Sequence, residues 1–325
     1  MDYHLLSNKL KESIVLATTL SELLLTNQIN LCTSPSIIDP LRVPLYRRIL
    51  LISEALSKLL PVSKTEDFSF TSIGSLTRVL VESYRPFYYL TIENIKEEER
   101  EFRYLLFEVY FFIERRKMIE AIRNGNNYPD LQTDLVESKK KLRNNSYYNK
   151  ILTTKNSEHI YGPLAQSIED TEKDGPKKNI EFSQGFRDLL ATRKGCFKND
   201  QTILLERLAT YEINEPFSEG EKKMIGNRFD KFFNKLMSNY VHSSAFAISM
   251  ERGSNFQLNQ EVENYLNQMV SCCIFYLITA THDLLKLCQL SQNNDLIQEC
   301  EKAEEGALVF LSILRGSCTS AETNP

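Results

Sequence analysis

Among the four histidines of the 325-residue chain, His242 has the neighbours best suited to proton transfer beside a phosphate. If its segment is helical, Arg228, Lys231, Lys235, Asn239 and His242 recur at steps of three and four residues and share one face. Ile225, Phe229, Phe232, Phe233, Leu236 and Tyr240 fall on another side. Cations neutralise phosphate charge, an amide can hold the ligand, and an imidazole exchanges a proton near neutral pH. The solvated face of an ordinary amphipathic helix has the same composition, so the pattern admits both readings. His4, near the N-terminus, and His159, in a polar stretch, read as solvated. His282, beside Asp283, reads as a histidine at the edge of a core.

A second constellation stands at Arg78, Glu82 and Arg85. Their spacing of four and three residues puts them on one helical face. The rest of that segment is nearly all apolar or aromatic: Val79, Leu80, Val81, Tyr84, Phe87, Tyr88, Tyr89 and Leu90. A helix that is apolar almost all round is usually buried, and an unpaired buried charge is costly. The charged stripe is therefore expected either to clamp another helix or to wall a site.

Other chemistries lose their support. No glycine-rich phosphate loop, no HExxH and no GxSxG occurs. Cys32, Cys196, Cys272, Cys273, Cys288, Cys300 and Cys318 are seven in number and form no Cys-x-x-Cys, which reads as reduced thiols in a cytoplasmic protein with neither metal nor cofactor. The net charge of −4 argues against a chain that coats nucleic acid along its length, although Arg115-Arg116-Lys117 and Lys139-Lys140-Lys141 form local basic patches.

The elements that must carry these residues are helices. Only 11 glycines and 10 prolines punctuate the chain, so an all-α, multi-helix bundle is expected. Helical periodicity runs over about 2–29, from Pro44 to 59, over 71–90 and over 96–123, with Pro86 expected to kink or shorten the third of these. A polar helix follows over 129–152. The restart comes after a charged stretch, with helices over 199–211, from Glu219 towards Met250, over 259–290 and over 295–314. Ser218 with Glu221 is a capping-box pattern. The run from Met269 to Ala280 is too short to span a bilayer and reads as a core helix. The expected organisation is an N-terminal helical block (1–152), a polar insertion (153–182), a C-terminal block (183–317) packed on the first as one globular unit, and a disordered tail (318–325).

Two segments carry a resemblance. The stretch from Ser75 to Leu90 resembles a helix in a bacterial all-helical domain-of-unknown-function family, where Arg-x-x-x-Glu is followed by aromatics. The stretch Phe233-Asn-Lys-Leu-Met-Ser-Asn-Tyr-Val-His-Ser-Ser244 resembles that family's later Tyr-x-x-Leu-Ser-x-x-Val-His segment. Such proteins are loosely similar to HEPN proteins, many of them metal-independent ribonucleases of toxin–antitoxin and antiphage systems. Their motif sets an arginine four to six residues before a histidine, completed across a dimer interface. Here Ser238 and Met237 stand four and five residues before His242, so the guanidinium would come from Arg78. The resemblance implies a ribonuclease or effector in bacterial defence, with RNA or a nucleotide as ligand and a second copy or a partner protein of the defence system beside it. His242 would be the general acid or base and Arg78 the phosphate-binding cation oriented by Glu82. Asn239, Lys235, Arg85 and Arg228 would hold the substrate. Two other readings stay open: a non-catalytic helical binding or regulatory protein, and a small-nucleotide sensor.

Overall fold

The computed structural model describes residues 3–26, 39–62, 68–122, 129–153, 161, 200–210, 217–232, 260–288 and 294–315. Within them the chain is all-α. The helices are α1 (Tyr3–Leu25), α2 (Asp39–Leu59), α3 (Phe70–Phe87), α4 (Glu97–Ile122), α5 (Pro129–Asn144), α6 (Ser146–Thr153), α7 (Asp200–Ala209), α8 (Glu219–Asp230), α9 (Gln260–Lys286) and α10 (Asn294–Arg315), and a π turn (Tyr88–Ile92) follows α3. No strand occurs among the described residues. They belong to two compact units. One holds α1–α3 and α7–α10; the other holds α4–α6 and Tyr161. The chain crosses between them at Tyr88–Tyr89 and again before Asp200.

In the first unit α9 is the central helix. Its run from Met269 through Ile278 is buried almost without interruption, on every side of the helix, as a helix apolar all round requires. The helices packed against it are α1, α2, α3 and α10. The segment Val262–Lys286 has the length and composition to cross a membrane, and 89% of its apolar window is buried inside the protein. The α1 helix turns Leu6, Leu10, Ala17, Leu20 and Leu24 inward at helical spacing. Its middle is tied to α2 by Tyr46, whose hydroxyl donates to the carbonyl of Ala17 at 3.2 Å and lies 2.9 Å from Thr281 Oγ1 of α9.

Prolines and caps set the helix ends. Pro44, expected in a first turn, lies one turn further in, because α2 already opens at Asp39. The cost is small there: proline removes a single N–H bond, to the carbonyl four residues back, near an end already short of partners. Pro86 sits in the last turn of α3. It withholds the N–H that would bond to the Glu82 carbonyl, and the wider π turn follows at once. The polar helix expected over 129–152 is two helices. Asn145 breaks it, its Oδ1 accepting from the N–H groups of Tyr147 and Tyr148 at 3.0 and 3.1 Å as the N-cap of α6. The capping box at α8 is present: the Ser218 N–H donates to Glu221 Oε2 at 3.0 Å, and the Glu221 N–H donates to Ser218 Oγ at 3.3 Å. Gly226 of α8 lies hard against Gln201 of α7; a Cβ there would stand 1.7 Å from the Gln201 amide nitrogen.

In the second unit α4, α5 and α6 pack on one another. Phe102 of α4 is buried among the rings of Tyr147, Tyr148 and Tyr161, at centroid distances of 5.3, 6.3 and 5.1 Å. Beside it lies a buried ionic cluster. Arg103, with 4% of its side chain exposed, donates to Glu93, to Glu99 Oε1 at 2.9 Å and to the Tyr161 hydroxyl at 2.8 Å. The Tyr161 hydroxyl in turn donates to Glu99 Oε1 at 3.0 Å. Arg100 secures the backbone through the Glu93 carbonyl at 2.7 Å.

Candidate functional site

The charged residues of α3 have different surroundings. At the outer face, Arg78 Nε donates to Glu82 Oε1 at 2.9 Å. The pair is half in solvent, with 22% of the arginine and 45% of the glutamate side chain exposed. Glu82 thus holds the guanidinium in one orientation from within the same helix. Seven residues on from Arg78, Arg85 makes a bidentate pair with Asp200 at the start of α7, Nε to Oδ1 at 2.8 Å and Nη2 to Oδ2 at 2.5 Å. Asp200 also sits in the first turn of α7, where a carboxylate opposes the positive end of the helix dipole. Arg228 donates to the backbone carbonyl of Leu314 at 3.0 Å, satisfying one of the carbonyls left over at the end of α10. His242, Asn239 and Lys235 lie outside the described residues, and so does the segment 154–199 apart from Tyr161.

A polar cluster that was not legible as a unit in the sequence ties α3 and α7 to α9. Asp283, near the end of α9, accepts from the Tyr84 hydroxyl at 3.0 Å and from Arg207 Nη1 at 2.8 Å. The Arg207 guanidinium also lies over the Tyr88 ring, 5.2 Å from its centroid, and the Tyr88 hydroxyl donates to Glu206. Burial pushes the Asp283 carboxyl above the ordinary aspartate range, and the Arg207 charge pulls it back. Arg207 itself is pushed up: burial opposes its charge, but Asp283, Tyr84, Tyr88 and Glu206 together outweigh that. The trace of this cluster in the sequence is an aspartate just after the apolar run of α9, which must find a cation or a hydroxyl when buried. Which cation it finds is set by packing.

His282, the residue before Asp283, faces a small cavity of about 260 Å3 lined also by Lys286, Cys288, Cys300 and Glu301. Its Nδ1 lies 3.0 Å from Glu304 Oε1 on α10. Burial first, then the charges of Lys286 and Arg207, lower its pKa from 6.5 to about 4, so the imidazole is neutral at pH 7. The Cys300 thiol is pushed up to about 12, by burial first, and is an unreactive thiol at neutral pH. No group of three or more metal-ligating side chains is assembled among the described residues.

This low histidine pKa predicts acid sensitivity with a definite sign. Between pH 6.5 and about 4 the unfolded chain holds a proton on His282 that the folded chain does not, so stability falls as pH falls through that window. A gap of that size is worth up to about 3 kcal/mol. Glu304, whose pKa burial raises, acts in the opposite sense and reduces the net effect. Urea unfolding at several pH values checks this: His282→Gln should lose less stability than the parent between pH 6.5 and 4. Parallel curves for the two proteins would show that His282 does not carry the effect.

No family model, curated protein or solved structure matches this chain.

Proposed function

We propose that the chain is a HEPN-like helical effector that cleaves RNA without a metal ion, acting in bacterial defence. One observation carries the reading: the Arg78 guanidinium, held at 2.9 Å by Glu82 on a solvent-accessible face of α3. An arginine oriented in advance by a carboxylate supplies positive charge where a phosphorane develops. In this reading His242 moves the proton of the ribose 2′-hydroxyl. Arg85 and Arg228, with partners in Asp200 and Leu314, shape the wall rather than grip the ligand.

The test is cleavage of a labelled mixed-sequence RNA by the purified chain in the presence of EDTA. His242→Ala should lower the rate by roughly 100-fold or more. Arg78→Ala should lower it by about 100-fold, and Arg78→Lys should restore part of it. Cleavage that survives His242→Ala unchanged overturns the assignment.

A second reading, a non-catalytic binding protein, draws on the Tyr84–Asp283–Arg207 cluster, where polar residues near the α3 stripe close on other helices of their own unit. It expects no RNA turnover. Glu82→Ala would then change only stability, by about 0.3–0.5 kcal/mol for an exposed pair at this spacing.

A further inference from the structure

We propose that a groove along the outer face of α2 receives an acidic amphipathic helix from a partner protein. The groove lies within the first unit, has a volume of about 820 Å3, and runs beside α3 and the end of α1. Its floor is one ridge of α2: Val43, Arg47, Leu51 and Ala55 follow at four-residue steps, with Pro44, Arg48 and Ile52 alongside. From Val43 to Ala55 the helix rises about 18 Å, which matches roughly three turns of a docked helix. The opposite wall is Leu76 and Val79 of α3, and Leu24 and Leu25 close one end. An open groove floored by one helix ridge and walled by apolar side chains can accept a helix by its apolar face.

The groove also states a charge preference. Among the described residues, every charged side chain lining it is an arginine, and no carboxylate contributes. Arg48 is braced against α3, its Nε donating to Ser83 Oγ at 3.1 Å, while Arg47 stands exposed on the ridge. Both stand about midway along the floor. An occupant therefore needs apolar residues at three- and four-residue spacing and carboxylates flanking that stripe near its centre. A second copy of this chain fits poorly: a two-fold interface would bring the two arginines of each copy together. An acyl chain favours an enclosed tunnel, whereas this trough is open, with Leu25 52% and Leu51 55% exposed. Those two leucines are the apolar surface that a partner would cover.

The proposal goes beyond the ribonuclease reading and is tested independently of it. The probe is a fluorescein-labelled, alanine-based helical peptide of about 16 residues, with leucines along one stripe and glutamates flanking it. Fluorescence anisotropy with the full chain should show saturable binding that weakens as salt rises from about 50 to about 500 mM. Replacing its glutamates by lysines should weaken binding by about tenfold or more. Leu51→Asp and Arg47→Glu, both at exposed positions, should each weaken it by at least about fivefold, with circular dichroism verifying that each variant is folded. Because Arg47→Glu leaves the apolar floor untouched, it keeps the test decisive even if Leu51→Asp misfolds. The proposal is overturned if the glutamate peptide does not bind, if the lysine peptide binds equally well, or if Arg47→Glu has no effect. It is also overturned if laurate saturates the groove in place of the peptide, or if sedimentation finds a dimer that Leu51→Asp disperses.

Discussion

Arg103→Ala should destabilise the protein by about 3–5 kcal/mol, the usual consequence of removing one partner from a buried ionic cluster. The reason lies in what remains. Glu93 and Glu99 both point at the Arg103 guanidinium, and Glu93 is almost wholly buried. Without the cation, a largely desolvated carboxylate loses the charge that faces it, and the Tyr161 hydroxyl loses a partner. In the parent protein burial opposes the arginine's charge, but Tyr161, Glu93 and Glu99 more than offset that and lift its pKa further. The variant should therefore be less unstable at pH 5 than at pH 8, because protonating a stranded carboxyl removes the penalty. Denaturant titration at the two pH values measures both effects. Arg103→Met combined with Glu93→Leu should recover much of the loss, since apolar side chains of similar volume can replace a buried ion pair at little cost. A single-variant loss below about 1 kcal/mol would place the pair with exposed bridges instead.

Asp283→Ala is the second large effect, again about 3–5 kcal/mol, and it acts where α3, α7 and α9 meet. The substitution strands two groups at once, the Arg207 guanidinium and the Tyr84 hydroxyl. Asp283→Asn should cost less, because a neutral amide still accepts the Tyr84 hydrogen bond while losing most of its attraction to Arg207. The sign of the carboxyl's own contribution is opposite to that of a typical salt-bridged aspartate. Its folded pKa is raised above 3.8, so its ionisation costs stability, a cost absent at low pH that grows as pH rises through the folded value. The cluster therefore enforces a particular seating of helices more than it adds net stability. Asp283→Leu with Arg207→Leu and Tyr84→Phe should be close to neutral in thermal melting. If that triple variant is as unstable as Asp283→Ala, the polar groups themselves are stabilising.

The two clusters differ in how far they can be anticipated. Arg103 and Glu99 stand four apart on α4, so local spacing alone pairs them. Glu93 and Tyr161 join only when the chain after the π turn and a residue beyond α6 come together. Asp283 and Arg207 are 76 residues apart, and Asp283 and Tyr84 are 199 apart. No periodicity relates such positions, because long-range pairing is set by how helix faces pack.

The helical class, the capping box at Ser218 and the central apolar helix α9 follow from local rules: periodicity, capping chemistry and the scarcity of glycine and proline act over a few residues. The Arg78–Glu82 pair is equally local, since one turn of helix brings the two side chains together. What only the tertiary structure decided is the separation of the stripe's fates. Arg78 pairs with Glu82 of its own helix, while Arg85, on the same face, closes on Asp200 from an element 115 residues away. Sequence spacing makes Arg78 and Arg85 equivalent. Packing distinguishes them by partner and not by exposure, which is 22% for both side chains: α7 brings a carboxylate to Arg85, whereas Arg78 finds one a turn along its own helix.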